Sequence, residues 1–182
     1  DDVTGDMRRR AKEVNFGIVY GISAFGLSQN LNISRSEAKE IIDSYFEKFT
    51  KVKEYMSKSI QDAKEKKYVT TLLGRRRYLR DIDSRNYTLR GFAERNAINT
   101  PIQGSAADII KLAMVKIDQW INKENLKSKM IMQVHDELVF DVEKEELEIF
   151  QSNVKTIMEG VVDMKIPLSV DVGIGKNWLE AH

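Results

Sequence analysis

Proline interrupts this chain only twice. Its 182 residues include two prolines, Pro101 and Pro167, and no cysteine. Because proline is the residue that helices tolerate least, so small a number leaves room for long helices. The lack of cysteine excludes disulfide scaffolds, thiolate zinc sites and cysteine nucleophiles. Since 42% of the residues are apolar, the chain can bury a core, and we expect a folded, mostly helical protein.

Apolar spacing and capping residues predict the helices. Asp6 is expected to cap a first helix over residues 7–20. Further helices are predicted over residues 34–49, 50–66, 86–98, 105–121 and 147–158. Ser34 and Glu37 match a capping box at the start of the second helix. A break is expected at Thr100-Pro101, because proline disfavours helical geometry in the residue before it.

Two stretches have the pattern of antiparallel hairpins. Residues 68–79 carry β-branched and aromatic side chains around Gly74, and residues 129–142 form two apolar runs about a polar centre, His135-Asp136-Glu137. A final strand is predicted at residues 168–174. Many helices with a small antiparallel sheet define an α+β protein, here one compact unit with a mostly helical lobe and a lobe that carries the second hairpin.

Charge is distributed unevenly, although the net charge is only +1. Residues 64–95 contain ten basic and four acidic side chains, whereas the chain from residue 130 onward contains four basic and eleven acidic ones. The basic belt, residues 64–95, can therefore contact a polyanion. No apolar run approaches the ~20 residues that a membrane span needs. The N-terminus also lacks the layout of a signal peptide, so we expect a cytoplasmic protein that makes no membrane contact.

Four side chains of the first predicted helix share one face. At ~100° per residue, Arg8, Lys12, Phe16 and Tyr20 lie within a ~120° arc that extends ~18 Å along the helix. Cations at one end suit a triphosphate, and aromatic rings at the other suit a base or sugar. Their order therefore matches a nucleoside triphosphate lying along the helix. The same spacing also fits an ordinary amphipathic surface.

The string RRRAKEVNFGIVYG at residues 8–21 closely resembles the nucleotide-binding motif in the fingers of family A DNA polymerases, the bacterial DNA polymerase I group. The resemblance implies that Arg8 and Lys12 hold the triphosphate of an incoming dNTP, with Lys12 a catalytic residue. It implies that Phe16 stacks near the incoming sugar and base, and that Tyr20 borders the template-base pocket. Family members with tyrosine at the place of Phe16 tolerate dideoxynucleotides.

The carboxylates at the second predicted hairpin are candidate metal ligands. A tight turn holds a carboxylate rigidly with its oxygens exposed, and Mg²⁺ prefers such hard oxygen ligands. Asp-Glu at a turn is, however, commonly turn chemistry alone. The string QVHDE at residues 133–137 resembles the second catalytic carboxylate motif of the same family. The resemblance implies that Asp136 is a catalytic metal ligand, Glu137 an auxiliary metal-binding carboxylate, and His135 a contact to the primer terminus.

Two further segments resemble the family. TPIQGSAADIIKLAM at residues 100–114 is similar to the stretch after the fingers, and this likeness implies that Arg95, Asn99 and Gln103 face the DNA minor groove and template. Guanidinium and amide groups can check pairing there, because every correct base pair presents acceptors in similar places. GRRRYL at residues 74–79 supplies three arginines suited to phosphates. Both segments are also compatible with a solvated surface.

The resemblance covers residues 3–180 and implies part of a DNA-directed DNA polymerase. Residues 1–100 would be mainly fingers and residues 101–182 the C-terminal palm. The thumb, the first palm motif with its aspartate, and any exonuclease domain have no counterpart in the sequence. The implied partners are dNTPs and primer–template DNA, the implied cofactors are two Mg²⁺ ions, and the implied state is a monomer. Because one of two metal-binding aspartates is missing, we expect the chain alone to be inactive.

Two other functions are compatible with these residues. Single-subunit RNA polymerases also carry Arg, Lys and Tyr at this helical spacing, although Phe16 and the Glu137 that follows Asp136 favour DNA synthesis. A non-catalytic nucleic-acid-binding module would use the basic belt alone. An aspartate-bearing strand motif upstream in the natural gene would favour the polymerase over the binding module.

Overall fold

The computed structural model describes residues 3–181. Its helices are α1 (Gly5–Val19), α2 (Ala24–Leu31), α3 (Arg35–Lys48), α4 (Thr50–Lys66), α5 (Tyr87–Lys123), α6 (Leu147–Glu159) and α7 (Trp178–Ala181). Its strands are β1 (Tyr68–Thr70), β2 (Arg76–Tyr78), β3 (Lys129–Val134) and β4 (Glu137–Asp141). The strands pair as two antiparallel hairpins, β1–β2 and β3–β4, and the expected α+β class is confirmed. The chain divides into two units, one up to Gly104 and one from Ser105.

The first unit contains two small hydrophobic cores. One joins α2 to α3 through Leu27, Leu31 and Ala38, and the partly buried Val14 of α1 packs against it. The other core gathers side chains from α4, the first hairpin, the segment that follows this hairpin, and α5, namely Ala63, Val69, Leu79, Ile82, Ala93 and Ala97. Val14 and Ile18 therefore hold the C-terminal half of α1 against its neighbours, while its N-terminal half, including Met7 at 57%, is exposed.

In the second unit, one face of the hairpin β3–β4 packs against side chains of α5 and α6. Ile117 of α5 and Phe150 of α6 are buried in its core, and Leu138 and Phe140 of β4 pack against that core. Since side chains alternate between the two faces of a strand, one face of the hairpin is anchored here. Among residues 3–181, no helix is both long enough and apolar enough to cross a membrane.

Ser128 and Glu146 close the base of the hairpin β3–β4. Ser128 is only 1% exposed, and its Oγ accepts a hydrogen bond from the Glu143 backbone N–H at 3.1 Å. Glu146, in the 3₁₀ turn before α6, accepts from the backbone N–H groups of Lys127 at 2.9 Å and Ser128 at 3.0 Å. It also accepts from the Ser128 hydroxyl at 2.6 Å. Both ends of the hairpin are thereby tied to the start of α6.

We expect part of the protein's acid sensitivity to come from two carboxyl groups. Hydrogen bonds from the Ser34 side chain and backbone lower the pKa of Glu37, and those from the Lys127 backbone and from Ser128 lower the pKa of Glu146. A carboxyl with a lowered folded-state pKa stabilises the fold above its unfolded-state pKa. This stabilisation is lost as pH falls through the folded-state value.

Replacing either glutamate with glutamine should therefore flatten the fall in Tm between about pH 5 and pH 3. Thermal unfolding across that range measures the effect, and an acid limb that stays parallel to that of the unmodified protein would contradict it.

The predicted N-cap of the first helix is wrong by two residues. Thr4 caps α1, with an extended backbone (φ −72°, ψ 156°) and an Oγ1 that accepts from the Met7 N–H at 3.2 Å. Asp6 lies inside the first turn and forms an ion pair with Arg9 at 2.6 Å. An acidic residue in the first turn interacts favourably with the positive end of the helix dipole. Asp6 is therefore suitable both as an N-cap residue and as a first-turn residue, and the sequence spacing could not distinguish the two positions.

The predicted helix break at Pro101 is also wrong, because α5 runs unbroken from Tyr87 to Lys123. A proline inside a helix costs about 3 kcal/mol. A fully buried isoleucine contributes about 1.5–3 kcal/mol, and α5 buries several residues on each side of Pro101. The buried residues are Ala93, Ala97, Ile98, Ile110, Ala113, Ile117 and Ile121. Packing therefore outweighs the local preference, and Ser105 with Asp108 lies within the helix instead of opening it.

The strand predicted at residues 168–174 is not formed. A strand needs a hydrogen-bonding partner, and within residues 3–181 β3 and β4 pair only with each other. The Val170 N–H donates instead to Glu159 Oε1 at 3.0 Å. Alternating apolar residues were therefore insufficient to define a strand here.

Candidate nucleotide and nucleic-acid interface

The exposed side of α1 brings together the four predicted nucleotide-binding side chains. Arg8, Lys12 and Phe16 lie within the helix, and Tyr20 is its C-cap residue. Phe16 is 47% exposed and Tyr20 is 40% exposed. Their rings stack with centroids 6.1 Å apart, and Lys12 Nζ lies 5.9 Å from the Phe16 ring centroid. The result is a continuous exposed strip, cationic at one end and aromatic at the other, which we call the α1 strip.

Two contacts fix the orientation of the α1 strip. Ile18, on the other side of the helix, is only 2% exposed. The Tyr45 hydroxyl of α3 donates to Asn15 Oδ1 at 2.9 Å. Because Asn15 immediately precedes Phe16, this bond ties the aromatic half of the strip to α3. The sequence contained no signal for this contact, which joins residues 30 positions apart.

Gly21 allows α5 to approach the end of the strip. Its φ is +75°, a conformation that residues with a side chain rarely adopt. A Cβ at this position would lie 3.2 Å from Cγ of Arg95. Arg95, one of the predicted minor-groove residues, therefore lies beside the residue that follows Tyr20.

Gln103 lines a basic cavity that the sequence did not predict. The cavity has a volume of about 310 Å³ and is lined by Thr71, Arg75, Arg76, Arg77, Thr100, Gln103 and Gly104. Arg75 donates to the Gly104 carbonyl, and Arg77 donates to Thr100 Oγ1, both at 3.1 Å. Guanidinium groups held in fixed positions suit phosphate oxygens. The fold thus unites Gln103 with the GRRRYL segment, which no spacing rule could connect.

Asn99 is less available than the other predicted minor-groove residues. Arg95 and Gln103 are exposed, whereas Asn99 is partly buried. Its Oδ1 is buried and has no hydrogen-bond partner among residues 3–181. An oxygen in this position cannot accept a hydrogen bond from a base unless the side chain rotates.

His135 and Asp136 form the exposed two-residue turn between β3 and β4, with Val134 paired opposite Glu137. His135 has a φ of 53°, which is uncommon for a residue other than glycine. Gln133 Nε2 donates to the His135 carbonyl at 3.0 Å. A positive φ in a residue with a side chain is a form of backbone strain, and this kind of strain is concentrated at functional sites. The turn presents the Asp136 carboxylate at the tip of the hairpin.

Glu137 is partly buried, and its Oε2 accepts a hydrogen bond from Trp178 Nε1 at 3.4 Å. No local pattern in the sequence indicates this contact, because Trp178 and Glu137 are 41 positions apart. Within residues 3–181 no three His, Asp or Glu side chains are grouped as a metal site requires. Asp136 and Glu137 are hard oxygen donors, and their chemistry fits part of a Mg²⁺ coordination shell.

Comparison with known proteins identifies the family. Residues 1–180 match the family model described as DNA polymerase family A. The chain belongs to this family. The motifs at residues 8–21 and 133–137 had implied the same family, and that expectation is confirmed.

The similar proteins are DNA polymerases. The DNA polymerase I of Bacillus caldotenax is 57% identical over 181 residues, that of Geobacillus stearothermophilus is 56% identical, and that of Bacillus subtilis (strain 168) is 55% identical. Each alignment covers 100% of this chain and 21% of the relative. A solved structure of the POL domain of Pol1 from M. smegmatis, in complex with DNA primer-template and dNTP, has a TM-score of 0.96 and 45% identity. It is covered over 32% of its length, and this chain over 100%.

Proposed function

We propose that this chain is a segment of a DNA-directed DNA polymerase that adds dNTPs to the 3′ end of a primer. Residues 1–100 are mainly fingers and residues 101–182 are the C-terminal palm. The observation that carries this proposal is the α1 strip, which presents Arg8, Lys12, Phe16 and Tyr20 in order in a chain of family A. The full-length polymerase that contains this segment is called the parent enzyme below.

The α1 strip binds the incoming nucleotide. Arg8 and Lys12 bind the triphosphate through charge-assisted hydrogen bonds, which are stronger than neutral ones. In the reaction the primer 3′-hydroxyl loses its proton to solvent and its oxygen bonds to the α-phosphorus. The bond between the α-phosphorus and the oxygen that bridges to the β-phosphate breaks, and pyrophosphate leaves. Lys12 stabilises the negative charge that develops on the phosphates. Phe16 contacts the sugar and base, and Tyr20 borders the template base.

The hairpin tip holds the catalytic metal. Asp136, with Glu137 as an auxiliary ligand, would supply part of the coordination shell of Mg²⁺. When bound, Mg²⁺ supplies Lewis-acid stabilisation of the phosphoryl group. His135 contacts the primer terminus from the same turn.

The DNA-facing surface consists of Arg95, Asn99 and Gln103 along α5, and the phosphate-binding groups of the basic cavity. The M. smegmatis structure is a complex with DNA primer-template and dNTP, which supports these two partners for the parent enzyme. We propose that the parent enzyme is a monomer in the bacterial cytoplasm. Family membership supports DNA synthesis over the RNA polymerase alternative.

Phe16→Tyr in the parent enzyme tests the nucleotide site. A phenolic hydroxyl near the sugar can replace the 3′-hydroxyl that a dideoxynucleotide lacks. Such a hydrogen bond is worth about 0.5–1.5 kcal/mol, so discrimination against ddTTP should fall by about 2- to 13-fold, while dTTP incorporation barely changes. The ratio of kcat/KM for dTTP and ddTTP measures it.

Phe49→Tyr is the matched control, because Phe49 is 46% exposed against 47% for Phe16 and lies outside the α1 strip. This control should leave the ratio unchanged. An unchanged ratio in Phe16→Tyr as well would remove Phe16 from the sugar pocket.

A further inference from the structure

A carboxylate that accepts three hydrogen bonds lies at the base of the catalytic hairpin, away from its tip. Glu146 accepts three hydrogen bonds, two from backbone N–H groups and one from the Ser128 hydroxyl. Ser128 is buried, and it also accepts the N–H of Glu143, which follows β4. Ser128 directly precedes β3, so one serine connects the start of the hairpin to the segment after β4 and to the turn before α6.

We propose that Ser128 and Glu146 are positioning residues that set the direction of the hairpin and hence the location of Asp136. This inference rests on the proposed role of Asp136 as the metal ligand. Neither residue contacts the nucleotide or the metal. Both act only by holding the base of the hairpin. We call it the hairpin clamp.

Besides this clamp, the hairpin is held by packing on one face and by the hydrogen bond from Trp178 to Glu137. Within residues 3–181 it has only two strands, so no third strand holds either edge. Its packing is one-sided: Leu138 and Phe140 contact the core, whereas Ile131 is 60% exposed and Met132 is 44% exposed. The pairing register also shifts between Met130 and Met132. Such irregularities bend a strand, so the direction of the tip depends on how the base is held.

The chemistry of the clamp requires a carboxylate and a hydroxyl. The two Glu146 oxygens face three donors and no acceptor, so the amide of glutamine would place an N–H₂ group against an N–H or O–H donor. Alanine at position 128 removes the hydroxyl that donates to Glu146 and leaves the Glu143 N–H without its acceptor. Removing one partner of a buried hydrogen bond costs more than the bond's net value. Each substitution should therefore loosen the base of the hairpin.

The test uses Glu146→Gln and Ser128→Ala in the parent enzyme, assayed well below their Tm values. A misplacement of about 1 Å caused by a mutation far from the chemistry can cost about 100-fold, so we expect kcat to fall by about 10-fold and the half-saturating Mg²⁺ concentration to rise. KM for dNTP should change by less than about twofold, because the α1 strip is not touched. Glu145→Gln, at an exposed glutamate of the same turn, is the matched control and should leave all three quantities unchanged.

The double variant tests whether the two residues act as one device. Residues in one hydrogen-bonded network are not additive, so Ser128→Ala with Glu146→Gln should be no slower than the slower single variant. Multiplied effects would contradict a shared clamp. If Glu146→Gln fails to fold, Ser128→Ala carries the same test.

A lowered Tm with unchanged kcat and unchanged Mg²⁺ dependence would show a merely structural role and overturn the proposal. Asp136→Ala, measured alongside, separates this failure from that of the proposed function. Should Asp136→Ala abolish turnover while the clamp variants do not affect it, only the positioning role fails. Should Asp136→Ala itself remain active, the proposed catalytic role fails.

Discussion

Asp136→Ala in the parent enzyme should lower the single-turnover rate of nucleotide incorporation by about 1,000-fold or more. A metal ion contributes several kcal/mol of transition-state stabilisation, and each 1.4 kcal/mol is about tenfold in rate. The affinity for primer–template DNA should change little, because phosphate contacts elsewhere supply most of the binding. Rapid-quench kinetics gives the rate and a filter-binding titration gives the affinity.

Asp141→Ala is the matched control for this loss. Asp141 is also exposed and lies at the other end of β4, so it removes a carboxylate from the same hairpin without touching the turn. The control should retain a near-normal rate. If Asp136→Ala also retained a near-normal rate, Asp136 would be a turn-forming residue with no catalytic role.

Lys12→Ala should lower kcat/KM for dNTP by about 10–100-fold, because a hydrogen bond to a charged group is worth about 1.5–3 kcal/mol. The loss can arise in dNTP binding, turnover or both, and a full kinetic analysis separates them. Lys39→Ala is the control: Lys39 is an exposed lysine of α3 that lies 3.8 Å from Asp43, and such surface pairs contribute little. Equal effects of the two substitutions would mean that Lys12 is a solvated surface lysine.

Local patterns predicted the local structure well. Ser34 and Glu37 form both bonds of a capping box. The helix expected at residues 50–66 is observed as Thr50–Lys66. These features depend on residues a few positions apart, whose geometry is set by the helix itself. By contrast, α2 was not predicted, although Ser23 caps it. A helix of only eight residues is too short to show a clear apolar periodicity.

Contacts distant in sequence could not be predicted in the same way. Helical geometry alone predicts the α1 strip, but it does not predict the hydrogen bond from Tyr45 to Asn15 that orients the strip. The cavity that unites Gln103 with three arginines, and the bond from Trp178 to Glu137, depend on how separate elements fold together. The hairpin turn was visible in the sequence, whereas the clamp at its base was not. Tertiary packing also overrode the local effect of Pro101.

The most direct test of the account is a segment exchange. Residues 1–182 would replace the matching segment of Bacillus caldotenax DNA polymerase I, which is 57% identical, and primer extension would be measured with dNTPs, Mg²⁺ and a defined template. We expect template-directed extension that disappears when Asp136→Ala is introduced into the chimera. A folded chimera that binds primer–template DNA yet fails to extend it, beside an active unmodified enzyme, would contradict the proposed polymerase function.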